Sequence, residues 1–270
     1  MKIITRLPLL IGFALSLTSC EKVIDIDLES TEKKYVVEAN LSNLAGSCRV
    51  LLSQTKDFDD NNSFEGITGA LVTITEPGGA VTPLNPTGDG VYEAPSFTGE
   101  SGKTYNLAVQ INGQTFTATS TMPVAVNLDS IYTTRETLFD DPKLIVNVEF
   151  SDPPGKGNNY RFIQYFNSVR EKQLQFMNDD YTDGRDVNSK LFYFNDDDED
   201  DSKDLEPGDE VIVEMYCIDP SMYKYWFSLF RSSTGDSNQA TPSNPVSNMN
   251  GGALGYFSAH TVQTKKMIIP

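Results

Sequence analysis

Cys20 has the clearest chemistry of its own in this chain. It ends the tetrapeptide Leu17-Thr18-Ser19-Cys20, an aliphatic residue and two small ones before a cysteine. Small side chains let an extended chain enter a peptidase cleft, and a thiol at the first mature position can accept a diacylglyceryl group. That is the logic of a bacterial lipobox. The residues ahead of it agree: Lys2 and Arg6 form a positive n-region, and residues 7–17 form an apolar run. The run falls short of the ~20 apolar residues that a permanent membrane helix needs, so it reads as a cleaved signal peptide. Each buried methylene contributes roughly 0.8 kcal/mol, so two or three acyl chains, palmitate among them, would hold the mature chain to a membrane almost permanently. The expectation is a signal peptide over residues 1–19 and a lipidated Cys20.

The remaining candidates for chemistry are weaker. Residues 99–104 (GESGKT) look like the end of a phosphate-binding loop, but the pattern needs glycine five positions before Gly102, where Phe97 stands. A strand rather than a helix follows, which makes this segment a turn. Asp57, Asp59 and Asn61 fit the first three ligand positions of a calcium loop. Asn62 then replaces the turn glycine, and Thr68 stands where a bidentate Glu is required. A solvated loop is expected there. Residues 196–201 (DDDEDD) are a run of like charges that repel one another and stay exposed. His260 is the only histidine; Ser258, two residues away, shares its face if the segment is a strand. No G-x-S-x-G nucleophile turn accompanies the pair, and one histidine without a Cys-x-x-Cys builds no ordinary zinc site. The expectation is therefore no enzyme: no catalytic residue, no cofactor and no metal.

The elements that would carry these residues are strands. Residues 34–41 (KYVVEANL) and 48–54 (CRVLLSQ) form a first pair, and 70–75 (ALVTIT) alternates toward the turn Pro77-Gly78-Gly79. Residues 104–111 and 114–120 flank Asn112-Gly113, the strongest short hairpin signal. Strands at this spacing, without helical periodicity between them, predict an all-β sandwich. Further strands are read at 143–150, 160–169, 210–218, 255–262 and 265–269. One helix is predicted over 220–234, capped by Asp219 with Pro220 in its first turn. Met222, Trp226, Leu229 and Phe230 lie on one of its faces and should pack on a sheet.

Composition bounds the partners. The chain holds 21 basic and 38 acidic residues, and losing Lys2 and Arg6 takes its net charge from −17 to −19. Such a charge argues against nucleic acid and against lying flat on anionic headgroups. Cys48 and Cys217 are far apart in sequence and form no disulfide framework; two buried free thiols are expected rather than a bridge.

Five stretches together resemble the Bacteroidetes outer-membrane lipoproteins grouped as domain-of-unknown-function family 4249. They are CEKVIDIDL after the lipobox; KYVVEANLSN; the block from GALVTIT through GVYEAP to SGKTYNLAVQINGQTFTATSTMP; LEPGDEVIVEMYCIDPSMYKYWFSL; and the closing NPVSNMNGGALGYFSAHTV. Residues 20–32 read as an acidic tether, and the resemblance implies an N-terminal immunoglobulin-like β-sandwich over 33–124 and a β-rich C-terminal domain, with one packed helix, over 125–270. The fold class expected is thus all-β, or mainly β. It also implies a lipid-anchored outer-membrane protein, with Cys20 its one functional position, acting as accessory to a TonB-dependent transporter. The alternative is a stand-alone surface adhesin or glycan-binding module using exposed aromatics such as Tyr160, Phe162 and Tyr165.

Overall fold

Alternation of apolar and polar residues recurs along the chain, and strands form where it does. The structure is a computed structural model that describes residues 32–56, 65–138, 141–193, 204–233 and 243–270. Its strands in chain order are β1 (Tyr35–Ser42), β2 (Arg49–Gln54), β3 (Leu71–Thr75), β4 (Val81–Gly88), β5 (Val91–Glu93), β6 (Thr104–Ile111), β7 (Gln114–Thr121) and β8 (Ser130–Leu138). There follow β9 (Asp141–Ser151), β10 (Asn159–Phe166), β11 (Val169–Arg170), β12 (Gln175–Asn178), β13 (Asp186–Leu191), β14 (Glu210–Ile218) and β15 (Leu254–Ile268), with one helix, α1 (Pro220–Ser233), before the last strand. The described residues are mainly β, with two sheets and one packed helix, as the strand pattern predicts.

The larger sheet runs β11-β10-β14-β15-β1-β2-β5-β4-β3-β6-β7, with β12 paired to β10; the smaller is β13-β9-β8. The expected β6–β7 hairpin forms on Asn112 (φ 48°) and Gly113 (φ 76°), the left-handed pair that a two-residue turn requires. The two last strands expected at 255–262 and 265–269 are one continuous strand, because residues 263 and 264 stay in register with Met215 and Glu214. β15 lies between β14, antiparallel, and β1, which it joins in parallel through pairs such as Val37↔Gly255 and Asn40↔Ser258.

Burial follows this order. One apolar cluster gathers Val37, Leu41, Leu52, Ile74, Leu107, Phe116 and Met122 with Phe257 and Ala259 of β15. The far end of the long sheet thereby folds back over its centre, and the Ser120 hydroxyl accepts the Ala259 N–H at 2.9 Å. A second cluster packs β9 (Val146, Val148, Phe150) against the inner faces of β10 (Tyr160, Phe162, Phe166) and β14 (Val211, Val213, Met215). Cys48 belongs to the first cluster and Cys217 to the second, both as buried free thiols. Burial pushes the Cys48 thiol up to about 11, so it stays protonated and unreactive.

α1 lies on the opposite face of β10 and β15. Met222, Tyr225 and Trp226 are its buried residues; Leu229 is partly buried, and Phe230, expected on the same face, is 39% exposed and meets the Phe176 ring. Asp219 caps the helix as predicted. Its Oδ1 accepts the Met222 N–H at 2.9 Å and the Ser221 hydroxyl at 2.6 Å. Its Oδ2 accepts the Ser120 hydroxyl at 2.5 Å and the Thr121 N–H at 3.3 Å, tying the helix start to β7. Asp219→Ala should therefore cost about 2–4 kcal/mol, a lost cap plus buried donors left without acceptors. A urea midpoint unchanged from wild type would show that the cap carries no such weight. No helix among the described residues is long and apolar enough to cross a membrane.

Candidate functional site

The outer faces of β10, β14, β15 and β1 are covered by α1 at one end only. Beside the helix a pocket of about 360 Å³ remains open. Strand parity decides what lines it. On β10 the residues Tyr160, Phe162, Gln164 and Phe166 point into the core, which turns Arg161, Ile163 and Tyr165 outward. On β14 the outward set is Glu214, Tyr216 and Ile218; on β15 it is Tyr256, Ser258, His260 and Val262; β1 adds Asn40 and Ser42. Trp226 of α1 forms the end wall. Arg170 enters because Asn167 (φ 48°) and Ser168 (φ 70°) make a tight turn that returns β11 alongside β10, opposite Tyr165.

Arg161 is the unusual member. Its guanidinium carbon lies 3.6 Å from the centre of the Trp226 ring, a cation–π stack. Register sets it beside Tyr216, and no carboxylate lies within ion-pair distance of it among the described residues. The one acid in the pocket, Glu214, is engaged elsewhere: its Oε2 accepts the Tyr165 hydroxyl at 3.1 Å and the Tyr216 hydroxyl at 2.5 Å. Burial first, and the nearby Arg170 cation as well, pull Arg161 below the ordinary guanidinium range. Desolvation and the Glu214 carboxylate push the Tyr216 and Tyr165 hydroxyls up, so both remain protonated donors. A second recess of about 290 Å³ opens on the other side of Arg161 and Arg170, lined also by Glu171 and Lys172.

His260 and Ser258 do share a strand face, as expected if the segment is a strand. The Ser258 hydroxyl and His260 Nδ1 are 2.9 Å apart, and both residues are buried. The imidazole packs edge-on against Tyr216 with ring centres 4.8 Å apart. Burial, reinforced by Arg161, pushes its pKa down to about 3, leaving a neutral ring at neutral pH. A hydrolytic serine–histidine pair also needs a group that orients the far ring nitrogen. Among the described residues His260 has no second hydrogen-bond partner.

The other predicted candidates fall elsewhere. Tyr160 and Phe162, expected as exposed aromatics, are 0% and 2% exposed and belong to the core; only Tyr165 of the three reaches the pocket. Residues 99–104 are a turn entering β6, with Gly102 at φ 83° and Lys103 paired to Glu76 and Glu100. Cys20, Asp57, Asp59, Asn61, Asn62 and residues 196–201 lie outside the described residues.

Sequence reading also passed over a trio of acids on the β9–β10 and β12–β13 loops. One carboxylate oxygen each of Asp152, Asp179 and Asp183 lies within 4.8 Å of the others, a spacing that suits a cation. The hydrogen bonds they make are structural. Asp152 accepts the Tyr160 hydroxyl, Asp179 Oδ2 accepts the N–H groups of Gly157 and Asn158 at 2.8 and 2.9 Å, and Asp183 Oδ1 accepts that of Gly155 at 2.7 Å. Together they clamp the Pro-Pro-Gly loop that leads into β10, and so help fix the strand that carries Arg161. Burial raises the Asp152 pKa, and its two acidic neighbours add to the effect.

The aromatic walls, the stacked guanidinium and the polar floor of Asn40, Ser258 and His260 can hold a small molecule. They do not assemble a recognisable catalytic set. Comparison with curated proteins finds no match for the chain. The model of the family described as "Domain of unknown function (DUF4249)" matches residues 21–266, nearly the whole chain, which therefore belongs to that family.

Proposed function

We propose that this protein is a non-catalytic, lipid-anchored binding lipoprotein of the outer membrane, held by Cys20 and serving as accessory to a TonB-dependent transporter. The observation that carries the binding reading is the pocket beside α1, where Arg161 stands on Trp226 without a carboxylate partner. Evolving folds rarely leave a partly buried charge without a partner unless something else supplies one. The anchor and the transporter rest on the lipobox and on the family resemblance of the sequence. Cys20→Ala should release a folded, soluble protein from the membrane fraction. Gentle detergent extraction of the wild type should bring down a β-barrel partner. A wild-type protein that stays soluble would defeat the anchor; a clean monomer across several detergents would defeat the accessory role.

A second reading, a stand-alone glycan-binding adhesin, draws on the aromatic walls. Tyr165, Tyr216, Trp226 and Tyr256 could stack on sugar faces. It requires that neutral sugars bind in this pocket.

A further inference from the structure

We infer that the pocket is built for a small organic anion, whose carboxylate or phosphate group is received by the Arg161 guanidinium while its body lies against Trp226, Tyr216 and Tyr256. This inference rests on the binding reading above and narrows it to a ligand class.

Four observations converge on an anion. First, the planar face of Arg161 is already occupied by Trp226 at 3.6 Å. No hydrogen bond to its N–H groups forms among the described residues. A guanidinium offers five donors in a fixed fork that matches a carboxylate or phosphate, so its missing partner has that geometry. Second, the acid that could have neutralised it, Glu214, accepts two tyrosine hydroxyls instead. The fold thus keeps a carboxylate in the same cavity without giving it to the arginine.

Third, charge is concentrated here against the trend of the chain. The protein carries a net −17, yet along the two adjoining recesses Arg161, Arg170 and Lys172 outnumber the acids Glu171 and Glu214. A local positive recess in an acidic protein steers small anions toward it while the remaining surface repels them. Fourth, the floor supplies neutral hydrogen-bonding groups rather than more acid. Ser258 and His260 are joined to each other, and Asn40 Nδ2 reaches Tyr256 at a long 3.4 Å. These can turn toward a ligand's polar groups without adding negative charge. A metal cation or a cationic ligand would meet two arginines and a single shielded carboxylate, which excludes that class.

The single histidine gives a direct readout, because its ring lies in the pocket and no other imidazole competes. The experiment follows the His260 ring proton by NMR in the folded mature protein. Millimolar benzoate, glucuronate and inorganic phosphate are added in turn, with benzamide and glucose as neutral counterparts. At least one anion should move the His260 resonance saturably, while its neutral counterpart does not. Arg161→Gln should weaken that binding at least tenfold, and Arg161→Lys should restore part of it. Circular dichroism and the unfolding midpoint of each variant show that the fold is kept.

Phosphate alone would identify a phosphate-bearing ligand; benzoate or glucuronate without phosphate would identify a carboxylate. Equal responses to anions and neutral counterparts would overturn the anion assignment while leaving a binding pocket. No response to any probe, or a response that survives Arg161→Gln unchanged, would overturn it too. Neither result touches the membrane partner, which the detergent extraction tests separately.

Discussion

Gly255→Ala is expected to destabilise the protein by roughly 3 kcal/mol or more. Gly255 sits at φ 94°, a conformation that L side chains rarely adopt. A Cβ there would lie 2.0 Å from the Val37 carbonyl oxygen, and that carbonyl belongs to the residue paired with Gly255 in the parallel β1–β15 ladder. Backbone cannot rotate away as a side-chain tip can. Relief requires β1 and β15 to separate at the point where the sheet is continuous from one end to the other. Gly113→Ala makes a sharp comparison. It also has a positive φ, 76°, but a Cβ there meets nothing within 4 Å, so only the turn penalty of about 1 kcal/mol applies. Urea unfolding of both variants measures the difference. Equal midpoints would mean that β1 and β15 are not held at this spacing.

Acidification should unfold the protein partly through His260. Its pKa in the folded state is pushed down to about 3, against about 6.5 in an unfolded chain. The folded state therefore binds fewer protons than the unfolded one between these values, and stability falls as pH falls through that window. The contribution is complete above pH 6.5 and shrinks by about 1.4 kcal/mol for each pH unit below it. The groups that face the ring are Arg161 on β10, Glu214 and Tyr216 on β14, and Tyr256 and Ser258 on β15. None provides a carboxylate in contact with the imidazole, so protonation finds no partner. His260→Asn keeps a hydrogen-bonding atom near Ser258 and removes the titration. Between pH 7 and 5 its stability should fall by about 2 kcal/mol less than that of the wild type. Parallel stability–pH curves for the two proteins would show that His260 takes up its proton without cost.

Local chemistry was legible in the sequence. Asn112-Gly113 announces its hairpin and Asp219-Pro220 its helix, because a turn or a cap is decided by the residues in it. β4 (Val81–Gly88) escaped notice because Pro83 and Pro86 break the usual strand pattern, and the strand is exposed along nearly all its length. The β1–β15 pairing could not be read at all. It joins segments more than two hundred residues apart, and nothing in KYVVEANL names its neighbour.

The pocket was hidden for a different reason. β10 is covered by β9 on one face and partly by α1 on the other, so both faces are apolar and alternation does not say which is outward. Choosing Tyr160 and Phe162 as surface aromatics selected the inward parity. Arg161 between them was the signal that was missed. A charged residue inside an otherwise apolar strand must face either solvent or a ligand, and it fixes the parity of the whole strand. The pairing of His260 with Ser258 was legible as a shared face, but the four-strand surface around it depends on sheet order.

The place of β15 bears on how the protein reaches its fold. β14 ends at Ile218 and β1 at Ser42, yet each lacks its central neighbour until residues 254–268 are present. Until that moment the large sheet exists as two fragments, each with a bare edge ready to pair with another chain. Closure joins the most distant parts of the sequence, a high-contact-order step and so a slow one. For a polypeptide threaded through a membrane N-terminus first, the keystone strand would emerge after every other strand of its sheet, and the waiting fragments would need shielding by a chaperone until then.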